Sequence, residues 1–315
     1  KRRRCRRRNW FGEKGGCKMK KILITGANSY IGTSFKKWMT QFQDEYQIDT
    51  LSVRGDAWRE HDFSGYDTVF HVAGIAHADV SKVSEETKQL YYAVNRDLAI
   101  ETAKKYKQDL SGKNGQFIYM SSIIIYGEET NINKKRVITP DTKPNPSNFY
   151  GDSKLQAEIG LQPLDDDTFH VAILRPPMIY GPGSKGNFPE LVKLADKLPV
   201  FPAIKNQRSM LFIENLCMYL KEIIDEEKNG IFFPQNNEYV RTSDIIQTIA
   251  KYKKKKTVIL PYFNYFVKLL GYFPGKISRL TNKAFGNLVY VPNERDDRLV
   301  DFEETIKKSI GYKNE

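Results

Sequence analysis

Residues 20–32 have the sequence Lys-Lys-Ile-Leu-Ile-Thr-Gly-Ala-Asn-Ser-Tyr-Ile-Gly. The β-branched apolar run predicts a buried strand, and the glycine after it predicts a tight turn into a helix that begins near Ile31 and ends around Phe42. Gly26 suits the turn, and Gly32 lets the helix pack closely on the strand. This order of elements is typical of the first βα unit of a dinucleotide-binding domain.

One position of the turn departs from the usual glycine spacing. Ser29 stands where a middle glycine is usual, so two of the three glycines of a G-x-x-G-x-x-G pattern are present. Its small side chain still lets the backbone approach a pyrophosphate at the helix N-terminus. An ordinary strand-to-helix turn is the alternative. The residues that we expect to contact a cofactor here are Gly26, Asn28, Ser29, Tyr30, Ile31 and Gly32.

The composition limits the class of protein. With 315 residues and 40% hydrophobic content, the chain can bury a large core. No apolar run approaches the roughly 18 residues that a membrane span requires, which excludes a spanning helix. The three cysteines, at positions 5, 17 and 217, show no metal-ligand spacing, and a sparse, odd set fits a reducing compartment. We therefore predict a cytoplasmic globular protein without a metal site.

The formal net charge of +12 lies mostly in a tail. Residues 1–18 contain nine Lys or Arg and one Glu, so the chain from Met19 onward carries only +4. Such a tail suits nucleic acid or an address signal. We favour a third interpretation, that residues 1–18 are translated upstream sequence, disordered and dispensable, because Lys14-Gly15-Gly16 back-translates to a purine-rich ribosome-binding sequence ahead of Met19. On this expectation the folded protein binds no nucleic acid.

The second predicted strand, residues 48–53, ends beside the expected position of the adenosine ribose. An acidic residue at this point binds the ribose hydroxyls of NAD, whereas an arginine suits the additional phosphate of NADP. Arg54 favours NADP and Asp56 keeps NAD open, while a solvated turn arginine is an equal alternative. The predicted cofactor is therefore NAD or NADP.

Two further strands end in small or hydroxyl residues. Residues 68–72 run into Ala73-Gly74, a second turn small enough for a cofactor to pass closely. A helical pattern over residues 84–107 follows, and residues 116–121 predict a strand that leads to Ser122. Ligands of doubly wound sheets bind at this carboxyl edge, so both strand ends are candidate site elements.

Tyr150 and Lys154 lie four residues apart, on one face of a predicted helix. A free phenol has a pKa of about 10, so a phenol base at about pH 7 needs roughly 4 kcal/mol of stabilisation of its anion. A positive charge at ~4 Å, at an effective dielectric constant of about 20, supplies about that energy. The pair is therefore a candidate acid/base set, although a surface Tyr and Lys on an amphipathic helix give the same spacing.

Five motifs in this order resemble one known family. They are the turn at residues 25–32, His71-Val72-Ala73-Gly74, Ser121-Ser122 with Tyr126-Gly127, Tyr150-x-x-x-Lys154, and Leu-Arg-Pro-Pro-Met-Ile-Tyr-Gly-Pro-Gly at residues 174–183. Together they are similar to the extended short-chain dehydrogenase/reductase family, in its nucleotide-sugar epimerase/dehydratase branch. The resemblance implies an α/β fold, a Rossmann-type doubly wound parallel sheet with a smaller, mainly C-terminal substrate lobe.

The resemblance also implies how two lobes divide the chain. The cofactor domain is expected at residues 19–175, with residues 230–252 returning to its core as a strand and a helix. Residues 176–229 and 253–315 are expected to form the substrate lobe. Within it, we expect the aromatic stretch at residues 262–273 to pack rather than to dock on a membrane surface. Dimers are common in the family, so a homodimer is the expected assembly.

The same resemblance assigns roles to individual residues. It makes Tyr150 the catalytic acid/base, Lys154 the group that stabilises its phenolate and holds the nicotinamide ribose, and Ser122 a hydrogen-bonding partner of the reacting oxygen. In the substrate lobe it implies that Asn187 and Phe188 contact the nucleotide-sugar and that Arg208 contacts the diphosphate, solvated polar residues being the alternative. Its other cofactor contacts are Arg54, Asp62, Phe63, Val72, Ala73, Gly74, Asn95 and Pro176.

The residues after Ser122 limit the reaction. Sugar 4,6-dehydratases of this family carry an Asp-Glu pair directly after their catalytic hydroxyl residue, whereas this chain has Ile123 and Ile124. Neither can move a proton, so the resemblance implies 4-epimerisation of a UDP-sugar or reduction of a UDP-4-keto sugar in surface-polysaccharide synthesis, with a slight preference for the epimerase. A non-catalytic NAD(P)-sensing protein is the alternative class, and Tyr150 with Lys154 argues against it.

Overall fold

The computed structural model describes residues 19–76, 83–127, 131–273 and 275–312. The predicted tail, residues 1–18, lies outside the described residues. The strands are β1 Lys20–Thr25, β2 Tyr46–Leu51, β3 Thr68–His71, β4 Gly115–Met120, β5 Lys135–Ile138, β6 Phe169–Leu174, β7 Met178–Tyr180, β8 Val200–Pro202, β9 Met210–Phe212, β10 Gly230–Phe232, β11 Val258–Leu260 and β12 Asn287–Tyr290. The helices are α1 Tyr30–Met39, α2 Glu85–Tyr92, α3 Leu98–Leu110, α4 Phe149–Leu161, α5 Asn187–Lys197, α6 Ile213–Asp225, α7 Thr242–Tyr252, α8 Asn264–Leu270, α9 Lys276–Phe285 and α10 Phe302–Ser309.

The strand β1 shows how the sequence builds a sheet that is buried on both faces. Its side chains alternate, so Ile22 and Ile24 lie in one apolar cluster and Leu23 lies in another. The first cluster includes side chains of α1 and α6, and the second includes side chains of α3 and α4. A strand that is apolar at consecutive positions needs helices on both faces of its sheet, and these helices supply that cover.

In the described part of the chain, six parallel strands form the main sheet in the order β10-β6-β4-β3-β1-β2. β1 pairs with β2 on one side and with β3 on the other, so the direction of winding reverses between β1 and β3. Ligands of such sheets bind at the carboxyl ends of the strands beside this reversal. The predicted doubly wound α/β fold is confirmed, and the predicted glycine turn lies at its switch point.

Three predicted elements differ from the observed ones. The second predicted strand, residues 48–53, is observed as β2 at Tyr46–Leu51, two residues earlier in the chain. The helical pattern predicted over residues 84–107 forms α2 and α3, which a π-helical turn, Ala93–Asp97, joins. The predicted returning strand is present as β10, but it pairs with β6 alone in the main sheet and is an edge strand rather than a core strand.

Short parallel pairs organise the rest of the chain. β7 pairs with β9, β5 with β12, and β8 with β11. β12 runs beside β5, which links the C-terminal part of the chain to the segment just before α4. The division into a cofactor domain and a substrate lobe stays a prediction.

The aromatic stretch at residues 262–273 lies mostly at the surface. Tyr262 is 88% exposed and Tyr265 is 80% exposed, and Phe266 and Phe273 are also exposed. The expectation that this stretch packs within a lobe is therefore wrong for most of its large side chains. Among the described residues, no helix combines the length and the apolar character that crossing a bilayer requires.

Candidate active site

The turn after β1 packs directly against the turn after β3. Gly26 has a φ of +93°, and a Cβ atom there would lie 2.8 Å from the backbone nitrogen of Ala73. A Cβ at Gly32 would lie 3.0 Å from side-chain carbons of both Ile24 and Val72. The predicted reason for Gly32, close packing of the helix on the strand, is therefore confirmed. These contacts also bring four of the predicted cofactor residues together, namely Gly26, Gly32, Val72 and Ala73.

Ser29 has a structural reason to replace the usual glycine. It is the N-cap of α1, and its Oγ accepts a hydrogen bond of 2.9 Å from the N–H of Gly32. The N–H groups of Tyr30 and Ile31 have no intrahelical acceptor, since they lie in the first turn. The phenol of Tyr30 is buried beside Gly181, and this burial raises its pKa. The backbone at this helix end, rather than the Tyr30 hydroxyl, is the part suited to an anion.

Lys154 lies buried beneath the turn after β3. Its Nζ donates a hydrogen bond of 2.9 Å to the carbonyl of Met120 and lies 4.8 Å from the centroid of the Tyr119 ring. A Cβ at Gly74 would lie 3.2 Å from this Nζ, so a side chain there would be in tight contact with the ammonium. Burial lowers the pKa of Lys154 to about 8. Burial also lowers the pKa of His71 to about 3, so Lys154 is the cation of this neighbourhood at pH 7.

Tyr150 stands one helical turn before Lys154 on α4, and it is half-buried. Its ring packs edge-on to Tyr91, with centroids 5.9 Å apart. Ser122 follows the end of β4, and its Oγ accepts a hydrogen bond of 3.3 Å from the N–H of Ile124. Because Lys154 bonds the last residue of β4, the helix that carries the Tyr/Lys pair is tied to the strand that leads to Ser122.

The loop after β4 also meets the loop after β6. The N–H of Ile123 donates a hydrogen bond of 2.9 Å to the carbonyl of Pro176. Pro176 is thus a neighbour of Ser122 at the carboxyl edge, as its predicted role requires. The predicted residues that follow β1, β3, β4 and β6 and the Tyr/Lys pair on α4 consequently form one connected group.

Asn95 lies fully buried in the π-helical turn between α2 and α3. Its Oδ1 accepts a hydrogen bond of 2.8 Å from the N–H of Ile75, and its Nδ2 donates to the carbonyl of Ile75 at 3.1 Å and to Ser153 Oγ at 3.1 Å. Asn95 therefore fixes the turn after β3 against α4. π-Helical turns occur frequently at functional sites, and this one places an amide at the centre of the site.

A buried ion pair that no sequence pattern predicted lies behind the site. Glu158, one turn after Lys154 on α4, lies 2.5 Å from Arg175 Nη2, and both side chains are almost fully buried. Arg175 also donates to the hydroxyl of Tyr126 at 2.6 Å, and Ser121 donates to the Glu158 carboxylate. The spacing of Glu158 from Lys154 was a usable signal, since residues four apart share one helix face. The ion pair joins α4 to the end of β6.

The residues expected to contact the adenosine differ in their exposure to solvent. Arg54 is exposed and has no ion pair among the described residues, whereas Asp56 is bound by Arg59. Asp62 is exposed, and hydrogen bonds from Ser64 hold the pKa of its carboxyl below the usual value. Phe63 is buried, and its N–H donates to Asp109 at 2.9 Å. Arg54 and Asp62 are thus accessible, and the ring of Phe63 is part of the core.

The predicted substrate residues are not equally accessible. Asn187, at the start of α5, is exposed, but Phe188 is 2% exposed and packs on Tyr180 with ring centroids 5.1 Å apart. The guanidinium of Arg208 donates to the carbonyl of Gly286 at 3.2 Å and to that of Lys283, at the C-terminal end of α9. Arg208 therefore caps the C-terminal end of α9. Its guanidinium has five N–H donors, so some of them are left to bind an anion.

A doubly wound sheet that brings a glycine turn and a Tyr/Lys pair to one edge defines an enzyme of the extended short-chain dehydrogenase/reductase type. Within that type, the model of the NAD dependent epimerase/dehydratase family matches residues 22–232, so the chain belongs to this family.

Similar proteins carry names of sugar epimerases. UDP-glucose 4-epimerase of Vibrio cholerae is 30% identical, over 93% of this chain and 90% of its own length. N-acetyl-alpha-D-glucosaminyl-diphospho-ditrans,octacis-undecaprenol 4-epimerase of Escherichia coli O157:H7 is 27% identical, over 84% of this chain and 82% of its own length. A solved structure of UDP-glucuronic acid 4-epimerase from Bacillus cereus in complex with NAD has a TM-score of 0.66 at 18% identity, covering 93% of this chain and 96% of that one. This last likeness shows the fold alone.

Proposed function

We propose that this protein is an NAD(P)-dependent 4-epimerase of a diphosphate-linked sugar, with a UDP-hexose as its substrate. The observation that carries the proposal is the connected group at the carboxyl edge, in which Lys154 bonds the end of β4 and Tyr150 stands one turn away on the same helix. The likeness to UDP-glucose 4-epimerase along nearly the whole chain supports the choice of reaction.

The residues present fit a bound dinucleotide. The α1 N-terminus offers N–H groups of Tyr30 and Ile31 and the positive end of the helix dipole to a pyrophosphate. Lys154 Nζ makes one hydrogen bond to the described residues, which leaves two of its donor positions for a ribose. Arg54, in the turn that follows β2, is a cation without an ion pair among the described residues, and a ribose phosphate would lie at this end of the strand. We therefore expect NADP to bind more tightly than NAD.

The proposed chemistry takes place at one carbinol carbon of the sugar. The dinucleotide supplies a hydride acceptor that can return the hydride. Tyr150 removes the proton of the C4 hydroxyl as the ketone forms. After the keto sugar has rotated to present its opposite face, Tyr150 returns a proton to the same oxygen. Lys154 is charged at pH 7, so it stabilises the phenolate of Tyr150 by Coulomb attraction. Ser122 Oγ accepts from the Ile124 N–H, which leaves its own proton to donate to the reacting oxygen.

Dehydration does not fit this set of groups. Elimination of water from a hexose requires a separate acid and base at carbons 5 and 6, and Ile123 and Ile124 occupy the positions that would supply them. Reduction of a 4-keto sugar uses the same Tyr150, Ser122 and Lys154, and it differs only in consuming a reduced cofactor. The test must therefore separate epimerisation from reduction.

A hexose on a polyprenyl diphosphate is a second candidate substrate. The relative from Escherichia coli O157:H7 is named for such a substrate. The reacting hexose and its diphosphate are common to both carriers, so the chemistry of Tyr150 and Lys154 is unchanged. The exposed apolar side chains of α8 and α9 favour this candidate, because they suit a lipid carrier better than a nucleotide.

The experiment compares three substrates. Purified protein is incubated with UDP-hexoses, with an N-acetylglucosaminyl diphosphate polyprenol in detergent, and with a UDP-4-keto-6-deoxy sugar plus NADH or NADPH, and products are followed by NMR and by nicotinamide absorbance. We expect inversion at C4 without net change of the cofactor. Reduction without epimerisation would assign the protein as a keto-reductase, and a 4-keto-6-deoxy product from a UDP-hexose would contradict the proposal.

Matched tyrosine variants show whether Tyr150 carries the reaction. Tyr150→Phe is expected to lower turnover by about 10² to 10⁴ while cofactor binding persists, since only the proton-transfer group is removed. Tyr66→Phe loses a phenol that bonds Asp49 at 3.2 Å, away from the site, and it should keep wild-type turnover. Wild-type turnover of the first variant would show that another group transfers the proton.

A further inference from the structure

The helices α8 and α9 and the turns beside them carry most of their large apolar side chains on the outside, whereas Phe285 at the end of α9 is 9% exposed and lies in the core. Amphipathic helices of globular proteins bury this side and leave the polar side in water. Here Tyr262 is 88% exposed, Tyr265 80% and Tyr272 69%, and Ile277 and Leu280 of α9 are each more than half exposed. We call these five residues and Phe266, which is 59% exposed, the aromatic face.

Polar contacts hold the other side of the two helices to the body of the protein. Asn264 Nδ2 donates to the carbonyl of Ala203 at 2.9 Å, and Asn282 Oδ1 accepts from the N–H of Ile132 at 2.9 Å. Ser278 Oγ donates to the carbonyl of Gly271 at 2.7 Å, which ties α9 to the end of α8. A Cβ at Gly271 would lie only 2.5 Å from a side-chain carbon of Ile132. The aromatic face is therefore the outer side of an anchored pair of helices.

The sequence around the aromatic face is strongly basic. Residues 245–293 contain nine Lys or Arg and no Asp or Glu, whereas the rest of the chain from Met19 onward has a formal charge of −5. Lys268 on α8 and Arg279 and Lys283 on α9 are exposed, and the described residues offer none of them an ion-pair partner. The exposed aromatic groups and the unpaired cations thus lie on the same two helices.

We propose that the aromatic face and these cations dock the protein on an anionic phospholipid bilayer. Tyrosine rings suit the headgroup level of a bilayer, where one part of the ring is in contact with acyl chains and the hydroxyl is in contact with water. Basic residues beside such rings bind anionic headgroups. The helices are too short to span a bilayer, so they lie in its interface. A second copy of the chain is the less suitable occupant, because two such faces would bring like charges together.

The test measures binding of the full chain to vesicles by co-sedimentation. One set of vesicles contains phosphatidylcholine alone, and the other contains equal parts of phosphatidylcholine and phosphatidylglycerol. We expect binding to the anionic vesicles and a loss on the order of 100-fold in the triple variant Lys268→Gln, Arg279→Gln, Lys283→Gln. The basic tail is present in every sample, so it does not account for a difference between variants.

Control variants show whether the effect is specific to the aromatic face or follows from any loss of surface charge or exposed apolar area. Lys36→Gln with Lys37→Gln removes two exposed lysines of α1, and Leu90→Ser removes an exposed apolar side chain of α2. Both controls are expected to bind as the wild type does. Tyr265→Ser with Phe266→Ser should bind anionic vesicles more weakly than either control, since it removes side chains that enter the interface.

A second measurement reports insertion directly. The wild type already contains Trp10, Trp38 and Trp58, so the signal is the fluorescence that each new tryptophan adds to that of the wild type. The fluorescence added by Phe266→Trp is expected to shift to the blue on anionic vesicles and to be quenched by brominated acyl chains, while that added by Leu90→Trp stays unchanged. Equal binding of wild type and triple variant, or equal quenching at positions 266 and 90, would overturn the proposal. A change of oligomeric state in the Tyr265→Ser, Phe266→Ser variant without vesicle binding by the wild type would instead assign the face to a second copy.

Discussion

Replacing Lys154 with methionine should stabilise the protein while it removes the proposed activity. Lys154 is 6% exposed, and burial lowers the pKa of its ammonium from 10.5 to about 8. A difference of about 2.5 pKa units corresponds to roughly 3 kcal/mol by which the charged form is less stable in the folded chain than in the unfolded chain. Methionine has a similar length and no charge, so it avoids this cost.

The gain should depend on pH in a defined direction. Below about pH 8 both states of the wild type carry the charge, so the cost of burying it is fully present. Between pH 8 and pH 10.5 the folded state loses its proton first, so the wild type gains stability relative to the variant. The cost of burying the charge, and with it the gain of the variant, disappears over this range. The variant also loses the hydrogen bond to Met120, which is worth about 1 kcal/mol. The expected net gain is about 2 kcal/mol at neutral pH.

Urea unfolding followed by fluorescence measures this difference at about pH 7 and about pH 10. Lys104→Met is the control, because Lys104 is an exposed residue of α3 without an ion pair among the described residues, and its effect should stay within about 0.5 kcal/mol. A Lys154→Met protein that is less stable than the wild type at neutral pH would refute the reasoning. A gain that is the same at both pH values would also refute it.

Two other predictions concern charges at the site. Glu158→Gln leaves Arg175 buried without its carboxylate, and we expect a loss of about 3–5 kcal/mol of unfolding free energy. The control Glu190→Gln removes an exposed partner of Lys193 and should cost less than about 1 kcal/mol. Similar losses in the two variants would contradict the buried-pair argument. Arg54→Ala should weaken NADP binding by about 1.5–3 kcal/mol in calorimetry and leave NAD binding nearly unchanged, and an equal loss for both cofactors would show that Arg54 does not contact the ribose phosphate.

The first strand, its glycine turn and the start of α1 could be predicted because each depends on a local pattern, and the doubly wound sheet followed from the resemblance of the five motifs. The consecutive apolar residues Ile22, Leu23 and Ile24 predict a strand covered on both faces. The order of strand, turn and helix predicts the close backbone contacts that require glycine at positions 26 and 32. The five ordered motifs then placed Tyr150 and Lys154 at the same edge.

The parts that sequence analysis did not predict depend on contacts between distant segments. The spacing of Glu158 from Lys154 indicates the helix face on which Glu158 lies, but no local pattern indicates that its partner is Arg175, the residue that follows β6. The aromatic stretch at residues 262–273 was expected to be buried because large apolar side chains usually are. The orientation of α8 and α9 depends on contacts such as those of Asn264 and Asn282, whose partners lie more than 60 residues away in the chain.

The most direct test of the proposed reaction follows a deuterium atom. UDP-hexose labelled with deuterium at C4 is incubated with the enzyme, and the product is examined by NMR and mass spectrometry. If Tyr150 moves only the hydroxyl proton while the hydride leaves C4 and returns to it, the inverted sugar keeps its deuterium and Tyr150→Phe forms no product. Inversion at C4 with loss of the label to water would show that the carbon-bound hydrogen leaves as a proton, and it would contradict the account.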